Sequence, residues 1–397
     1  MRENRTPRIS KTVITLGLVS LLTDISSEGI YPLIPLFLTE TLHARVLAVG
    51  LIEGVAESTA SLLRIVSGWL SDVLRNRKWL TVAGYSLSAL SKPLLALATS
   101  WHFVFGIRFM DRLGKGIRTA PRDALIADVA AAEARGISFG LHRAMDSLGA
   151  TLGPLIAFLL ILYGINNYRQ LFLLAFIPAA TAVLILIAFV REARRETFEK
   201  VDMPSLRIGR FSRPFKLFLL ITTLFSIGNS SDAFLILRAK NVGVTAASTL
   251  LVYVLFNSVD SIFATAAGAL SDKIGRRNVV LSGYLLFALV YTGFALARSP
   301  MTIWLLFAMY GLYNALTHGV QKAFASDLIE AGVRGTGMGA YNMLTGLALF
   351  PASLIAGYLW DSISPSAPFY YGAATALLSA LLLAICFRSS DVIYSGR

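Results

Sequence analysis

Long apolar segments alternate with short polar segments along the whole chain. An apolar run of about 20 residues crosses roughly 30 Å of hydrocarbon as an α-helix, and runs of this length recur throughout the sequence. The pattern therefore predicts an all-α polytopic membrane protein with 12 transmembrane helices. The predicted spans are 12–39, 46–73, 78–100, 101–127, 137–164, 168–190, 214–239, 245–271, 277–298, 300–328, 335–360 and 366–388.

The fourth predicted helix is unusually rich in charge. Its segment 108–123, RFMDRLGKGIRTAPRD, contains seven ionisable side chains. One charge at the centre of a membrane helix costs about 2.5–3.5 kcal/mol on insertion scales, so seven facing lipid would cost roughly 20 kcal/mol. If this segment spans the membrane, its charges must face water or one another inside the protein. The seven are Arg108, Asp111, Arg112, Lys115, Arg118, Arg122 and Asp123.

Composition and charge support a membrane location. Hydrophobic residues make up 55% of the chain and charged residues 15%, whereas globular proteins are about 45–50% apolar and about 25% charged. The net charge of +13 comes mainly from alternate loops, which is the positive-inside pattern of membrane proteins. We therefore expect both termini in the cytoplasm and no nucleic-acid partner. The basic segments are the N-terminal tail, 75–78, 191–216 and 273–277.

An internal repeat divides the chain into two halves. Gly68–Arg77 matches Gly268–Arg277, and the segment that ends at Gly140 matches the segment that ends at Gly339. We expect two six-helix bundles, 1–190 and 214–397, joined by a cytoplasmic linker, 191–213. Parallel six-helix repeats are one transporter architecture. The repeat also predicts that the charged segment spans the membrane, because its counterpart, 304–327, is apolar enough to do so.

The repeated segment resembles the signature loop of the major facilitator superfamily (MFS), which lies between helices 2 and 3 of each half. The second copy contains the motif residues Gly268, Asp272, Gly275, Arg276 and Arg277. The first copy retains Gly68, Asp72 and Arg77 but has Arg75 where the motif prefers glycine. The resemblance covers the whole chain and implies the MFS fold, two pseudo-symmetric six-helix bundles that alternate access to a central site.

The resemblance assigns a gating role to these residues. It implies that Asp72 contacts the start of helix 11 near Gly335, and that Asp272 contacts the start of helix 5 near Gly136. A carboxylate at the positive N-terminus of a helix is stabilising by about 0.3–2 kcal/mol. Such contacts would favour the outward-facing state. Capping without a gating role is the alternative.

Two further motifs resemble MFS sequences. Arg112, followed four residues later by glycine, resembles the helix 4 motif whose arginine is linked to proton transfer. Gly149, Gly153 and Pro154 resemble the helix 5 motif of exporters and are expected to act in gating, although Ala157 and the following Phe158 replace the glycines common in that pattern. A packing role for the two glycines is the alternative, because glycines on one face allow close helix contact.

Acidic residues in the first predicted helix are candidates for proton coupling. Asp24 and Glu28 are spaced i, i+4 on one face, and carboxylates inside a membrane are functional candidates. A carboxylate that meets Arg112 in only one conformation would change its proton affinity. A fixed ion pair is the alternative. The resemblance places helices 1, 4, 7 and 10 around the central cavity, where we expect substrate to meet Lys115, Arg118, Asp232, Arg238, His318 and Lys322.

Together these features predict a proton-coupled secondary transporter, similar to the bacterial 12-helix efflux branch of the MFS. We expect a monomeric, multi-pass protein of the cytoplasmic (inner) membrane that exports a small molecule by antiport. The cationic cavity candidates favour instead an anionic solute, such as an organic acid, phosphate ester or siderophore-like chelator, moved by symport or export. A channel or sensor also stays open. The expected partners are a small-molecule substrate, protons and the lipid bilayer.

Several other classes of function are not expected. The sequence contains no HExxH segment, as a membrane metalloprotease would require. It contains no GxxxxGK[ST] segment for ATP. A single cysteine, Cys386, does not form a disulfide or a cysteine metal cluster within the chain. We therefore expect no enzyme activity, no cofactor and no metal site.

Overall fold

The computed structural model describes residues 9–74, 76–131, 134–192, 211–330 and 333–387, without the side chains of Ile65, Asp72 and Leu74. Within those ranges the regular elements are all helical. The predicted fold class, an all-α protein with 12 membrane helices, is confirmed. Both predicted cytoplasmic termini and most of the predicted linker lie outside the described residues.

The first membrane helix comprises α1 (Lys11–Ile30), the short α2 (Leu33–Leu36) and a π-helical turn (Phe37–Thr41). It is followed by α3 (Val46–Leu74), α4 (Arg77–Leu97), α5 (Trp101–Val129), α6 (Arg135–Leu162) and α7 (Tyr168–Phe189). The seventh membrane helix is divided into α8 (Arg213–Gly228) and α9 (Ala233–Asn241). The last five helices are α10 (Ala246–Ile274), α11 (Arg276–Leu296), α12 (Pro300–Asp327), α13 (Arg334–Ser362) and α14 (Ala367–Cys386).

Length and composition mark 10 of these membrane helices as long and apolar enough to cross a bilayer. The other two are α5 and its repeat counterpart α12. The expectation that 304–327 is apolar enough to span by composition is therefore wrong, although α12 is one of the 12 membrane helices of the fold. In α5 the cause is the charge density of 108–123, which lowers the mean hydropathy of a helix that is otherwise long enough to span.

Short polar side chains determine where many of these helices begin. The first four N–H groups of a helix have no partner within it, and a serine, threonine or asparagine at the N-cap accepts a hydrogen bond from one of them. Because these caps are local in sequence, they define the helix starts independently of tertiary packing. The capping residues are Ser10, Asn76, Ser100, Asn167, Ser212, Thr245 and Ser299.

The chain folds into two compact units. Unit 1 comprises Met1–Leu42 and Thr59–Met203, and unit 2 comprises His43–Ser58 and Pro204–Arg397. The helix α3 therefore contributes its first part to unit 2 and its second part to unit 1. The division of the sequence into six-helix halves at the linker stays a prediction.

In unit 1, α1 packs against α6 and α7, while α4 packs against α5 and α7. Apolar residues of α1, α4, α5 and α7 form a continuous buried cluster that includes Leu16, Val82, Leu125 and Leu186. The second part of α3 contacts α5 closely, because the Ser67 Oγ donates to the Gly116 carbonyl at 2.8 Å. These contacts place α5 between α3 and α4.

Unit 2 repeats this packing order. Here α8 packs against α13 and α14, and α11 packs against α12 and α14. Residues 43–58 lie along α13, where the Ser58 Oγ donates to the Gly346 carbonyl at 3.0 Å. The Asp361 carboxylate accepts a hydrogen bond of 2.8 Å from the Leu47 N–H. The internal repeat of the sequence is thus also a repeat of helix packing.

Candidate functional site

The charged helix α5 buries most of its charges inside unit 1. Arg108, Asp111, Arg112 and Arg118 are all at most 6% exposed, and Lys115 is half-buried. The expectation that these side chains face the protein interior is confirmed. Because buried charges are tolerated only with partners, the contacts of each one indicate its role.

Asp111 is the centre of a buried ionic cluster between α4 and α5. Its Oδ1 accepts hydrogen bonds from the Lys92 Nζ at 3.0 Å and the Ser88 Oγ at 2.6 Å. Its Oδ2 lies 3.4 Å from the Arg108 Nη1 and 3.6 Å from the Arg112 Nε. Three cations thus share one carboxylate. The sequence indicates no role for Asp111, and the expected part of Arg112 in proton coupling stays a prediction.

Arg118 differs from these cations in its surroundings. Its guanidinium carbon lies 4.3 Å from the centroid of the Tyr85 ring, a cation–π contact. Its Nη1 is buried and has no hydrogen-bond partner within the described residues. A buried, unsatisfied guanidinium nitrogen is unusual in a native protein. Substrate contact at Arg118 stays a prediction.

Asp24 lies at a close contact between α1 and α6. A Cβ added at Gly149 would lie 2.7 Å from the Leu21 carbonyl oxygen and 2.8 Å from the Asp24 Cβ. A Cβ added at Gly153 would lie 2.6 Å from the Ile25 carbonyl oxygen. Gly149 and Gly153, the glycines of the helix 5 motif, lie on α6 and therefore have the packing role that was one of their two interpretations. They have it directly beside a predicted proton-coupling carboxylate.

Charged groups from three helices surround Asp24. The carboxylates of Glu28 on α1 and Asp146 on α6 act on it electrostatically, as do the cations Lys115 and Arg118 on α5. Two of the predicted coupling residues and two of the predicted substrate-binding residues are therefore brought together within unit 1.

A histidine–aspartate pair on α6 was missed by the sequence analysis. The His142 Nδ1 lies 3.5 Å from the Asp146 Oδ2, and His142 is buried. The signal in the sequence was the i, i+4 spacing of two titratable residues in an apolar helix. The pair had no functional assignment because the sequence does not reveal that this face of α6 packs towards Asp24.

The break in the seventh membrane helix forms a polar site in unit 2. The segment 229–232 separates α8 from α9, and the Asp232 Oδ1 accepts a hydrogen bond of 2.8 Å from the Tyr310 hydroxyl. The Asn229 Nδ2 donates to the Tyr313 hydroxyl at 3.1 Å. The backbone N–H of Ser231 donates to a serine hydroxyl of α13 at 3.2 Å. Discontinuous helices of this kind form substrate sites in several transporter folds.

The other predicted substrate-binding residues of unit 2 have surroundings that differ from those of Asp232. Arg238 is buried, and its guanidinium donates to the carbonyls of Phe294, Ala295 and Ala297 at 2.9–3.1 Å. These bonds tie α9 to the end of α11. His318 is exposed on α12 and Lys322 is half-buried. Substrate contact at these three positions stays a prediction.

The signature loops connect neighbouring helices in both units. Arg77 forms an ion pair with Asp128, and the Arg276 Nη1 lies 2.5 Å from the Asp327 Oδ2. Gly275 joins α10 to α11 with a φ of 91°, a conformation that favours glycine. The remaining motif residues have simpler surroundings: Gly68 lies beside a side chain of α5, Gly268 has open space, and Arg277 donates to the Ala384 carbonyl at 2.9 Å.

The predicted gating contacts of the two motif aspartates stay predictions. The Asp272 carboxylate is exposed and lies 3.7 Å from Arg276 within its own unit. The side chain of Asp72 lies outside the described residues. The role of Pro154 in gating likewise stays a prediction, although the residue is buried within α6.

Comparison with known proteins identifies the family. The family model described as Major Facilitator Superfamily matches residues 16–350 and 217–393. The chain belongs to the major facilitator superfamily. An uncharacterised MFS-type transporter of Methanocaldococcus jannaschii, MJ1317, is 39% identical over 383 residues, which cover 94% of each chain. The multi-drug resistance efflux pump PmrA of Streptococcus pneumoniae is 26% identical over 79% of this chain and 80% of its own.

Solved structures agree with this MFS assignment at the level of fold. A mutant of the nucleoside transporter NupG superposes with a TM-score of 0.81 at 13% sequence identity, covering 95% of this chain and 100% of that one. Membership of the MFS makes this protein a multi-pass membrane transporter of small molecules. It also confirms the expectation that the protein is not an enzyme.

Proposed function

We propose that this protein is a proton-coupled antiporter that exports a small molecule across the cytoplasmic membrane by alternating access. The observation that carries the proposal is the position of Asp24, a carboxylate inside unit 1 that lies between acidic groups on α1 and α6 and cations on α5. A carboxylate in such a mixed field changes its proton affinity when either set of neighbours moves. Proton binding and helix movement are thereby linked.

The contact between α1 and α6 provides that linkage. Gly149 leaves no space for a side chain beside Asp24, so a relative shift of the two helices changes the surroundings of the carboxylate directly. Glu28 and Arg112, the other predicted coupling residues, lie on the same two helices as Asp24 and Lys115. We assign proton binding to Asp24 and electrostatic support to Glu28, Lys115 and Arg118. Arg112 lies beside Asp111 instead, and its part in proton coupling stays a prediction.

The membrane potential supplies enough energy for this mechanism. One elementary charge that crosses 100 mV is worth about 2.3 kcal/mol. That free energy supports a concentration ratio of roughly fifty for the exported solute, since about 1.4 kcal/mol corresponds to a factor of ten. Export as the direction of transport is supported by the relative PmrA, which is named a multi-drug resistance efflux pump, and by the helix 5 glycine motif.

An anionic substrate is the second candidate, and Arg118 is the observation that favours it. Its buried Nη1 lacks a partner within the described residues, and its guanidinium is held in place by Tyr85. Arginine recognises carboxylate and phosphate groups through paired donors. A carboxylate or phosphate on the substrate would satisfy this nitrogen.

Transport into inside-out vesicles tests both candidates. The vesicles contain the full chain and are given an acidic interior, and uptake is followed for a lipophilic cation, ethidium, and an anion, carboxyfluorescein. Proton-driven uptake of either dye, accompanied by proton release from the vesicles, is expected, and Asp24→Asn should abolish it. Asp361→Asn is the matched control, because its amide oxygen still accepts from the Leu47 N–H.

The two dyes separate the substrate classes. Uptake of carboxyfluorescein that is lost in Arg118→Gln would favour the anionic class, whereas uptake of ethidium alone would favour drug-type efflux. Dye movement without any proton flux in the wild type would contradict proton coupling and favour a channel. Unchanged pH dependence in Asp24→Asn would remove the coupling role from that residue.

A further inference from the structure

Two titratable groups of α6, one buried and one half-buried, have no proton-binding role in the mechanism proposed above. The imidazole of His142 and the carboxylate of Asp146 approach within 3.5 Å through Nδ1 and Oδ2. Their outward atoms, the His142 Nε2 and the Asp146 Oδ1, are both buried and lack a hydrogen-bond partner within the described residues. Buried unsatisfied polar atoms are unfavourable and uncommon. Two of them in one titratable pair indicate a functional requirement.

The pair lies between the predicted cytoplasmic end of α6 and Asp24. At 1.5 Å per residue from the start of α6, His142 is about 10 Å and Asp146 about 16 Å along the helix axis. One turn further, Gly149 contacts α1 beside the Asp24 Cβ. Asp146 is also one of the charged groups whose field reaches Asp24. His142, Asp146 and Asp24 therefore lie at successive depths within unit 1.

The charged groups that face the pair come from each neighbouring helix. On α5 these are Arg122 and Asp123, on α6 Arg143, and on α1 Asp24. The Arg122 guanidinium donates to the Asp123 carboxylate at 2.9 Å and to the hydroxyl of Ser20 at 3.2 Å. These two hydrogen bonds join Arg122 to α5 and α1 rather than to the pair. The field of Arg122 nevertheless reaches both members.

We infer that His142 and Asp146 form the cytoplasmic-side proton-binding site of this transporter and exchange protons with Asp24. The inference rests on the proposed proton coupling and extends it to a path. The proton of the Asp24 carboxyl moves to the ionised Asp146, which then gives it to Nδ1 of the neutral imidazole. The imidazole releases its Nε2 proton to the cytoplasm, which leaves it neutral as its other tautomer and Asp146 ionised again. One proton enters and one leaves at each step.

The burial of the pair is consistent with a coupled carrier. A proton site open to water and to the middle of the membrane at the same time would dissipate the gradient. In this structure the Nε2 and Oδ1 atoms are sealed from solvent, so exchange with the cytoplasm requires movement of neighbouring groups. Such movement is what alternating access provides.

Infrared difference spectroscopy tests the pair without a substrate. The full chain, reconstituted in lipid with isotope-labelled histidine, is titrated from alkaline to acidic buffer. The bands lost in His142→Gln identify that residue among the four histidines. We expect the His142 imidazole band to titrate together with a protonated-carboxyl band, and Asp146→Asn to remove the carboxyl band and shift the imidazole midpoint. A His142 band that does not titrate, or whose midpoint is the same in Asp146→Asn, would overturn the inference.

A transport measurement then separates a proton path from a structural role. Proton-driven uptake of ethidium or carboxyfluorescein is compared with energy-independent exchange of the same dye, in which no net proton moves. We expect His142→Gln and Asp146→Asn to lower the ratio of driven uptake to exchange by at least about tenfold. His102→Gln, at an exposed position stacked on Trp101, should leave the ratio unchanged.

The two measurements distinguish failure of the inference from failure of the proposed function. If driven uptake and exchange fall by the same factor in both variants, the pair is structural and the inference is wrong. If the wild type moves no protons with either dye but the infrared titration behaves as expected, the pair binds protons and the proposed coupling is contradicted.

Discussion

Arg276 at the start of α11 forms an ion pair of 2.5 Å with Asp327 at the end of α12. The same arginine donates to the Ala323 carbonyl at 2.9 Å. Unit 1 repeats this arrangement, because Arg77 at the start of α4 pairs with Asp128 and donates to the Ala124 carbonyl. In each unit an ion pair thus joins the signature loop to the C-terminal end of α5 or α12.

The two ion pairs should differ in their contribution to stability. The side chains of Arg77 and Asp128 are 8% and 16% exposed, whereas those of Arg276 and Asp327 are 31% and 53% exposed. Exposed pairs contribute about 0–1 kcal/mol, and removal of one partner of a buried pair costs about 3–5 kcal/mol. We expect Arg77→Gln to lower the melting temperature in detergent clearly more than Arg276→Gln. Equal losses of melting temperature in the two variants would show that burial does not determine how much these pairs contribute to stability.

The buried cluster around Asp111 predicts an order of destabilisation. Asp111→Asn removes the carboxylate that Lys92, Arg108 and Arg112 approach, whereas Lys92→Met removes one of its three cations. Breaking a buried pair costs about 3–5 kcal/mol. We therefore expect Asp111→Asn to lower the free energy of unfolding more than Lys92→Met does. Thermal unfolding of both variants and of the double variant measures the order. The prediction fails if Lys92→Met is the more damaging change.

The contact of α6 with α1 predicts that Gly149 does not tolerate a side chain. A Cβ there would lie 2.7 Å from the Leu21 carbonyl oxygen, and overpacking of this kind costs about 1–3 kcal/mol. Gly149→Ala should therefore lower both the melting temperature and proton-driven dye uptake. Gly140→Ala in the same helix is the control, since a Cβ at that position meets nothing within 4 Å. Matching behaviour of the two variants would contradict the close-packing assignment.

The polar break of the seventh membrane helix predicts separable effects at Asp232 and Tyr310. Asp232→Asn retains an oxygen that accepts the Tyr310 hydroxyl, so the hydrogen bond of 2.8 Å survives while the charge is lost. Tyr310→Phe removes the donor but keeps the ring. If Asp232 binds substrate through its charge, Asp232→Asn should lower dye uptake by about 10- to 100-fold, with less loss of melting temperature than Tyr310→Phe. Unchanged uptake in Asp232→Asn would remove the residue from the substrate site.

The structure changes the correspondence between the two signature loops. The sequence repeat at an offset of about 200 residues aligns Arg77 with Arg277. The ion pairs instead make Arg77 equivalent to Arg276. The difference arises because two residues separate α3 from α4, whereas Gly275 alone separates α10 from α11. A glycine with positive φ makes the shorter connection possible. The repeat in the sequence does not show this shift of one residue.

Local properties of the sequence determined the fold class, the helix count and the interior location of the α5 charges. Hydrophobic length and the cost of charge in hydrocarbon are read residue by residue, and the capping residues mark helix starts in the same way. The partners of those charges depend on which helices pack together. Only the tertiary structure placed Lys92 against Asp111, set Gly149 beside Asp24, and brought His142 and Asp146 towards the same carboxylate. Pairing across helices is decided by packing geometry, which one sequence does not contain.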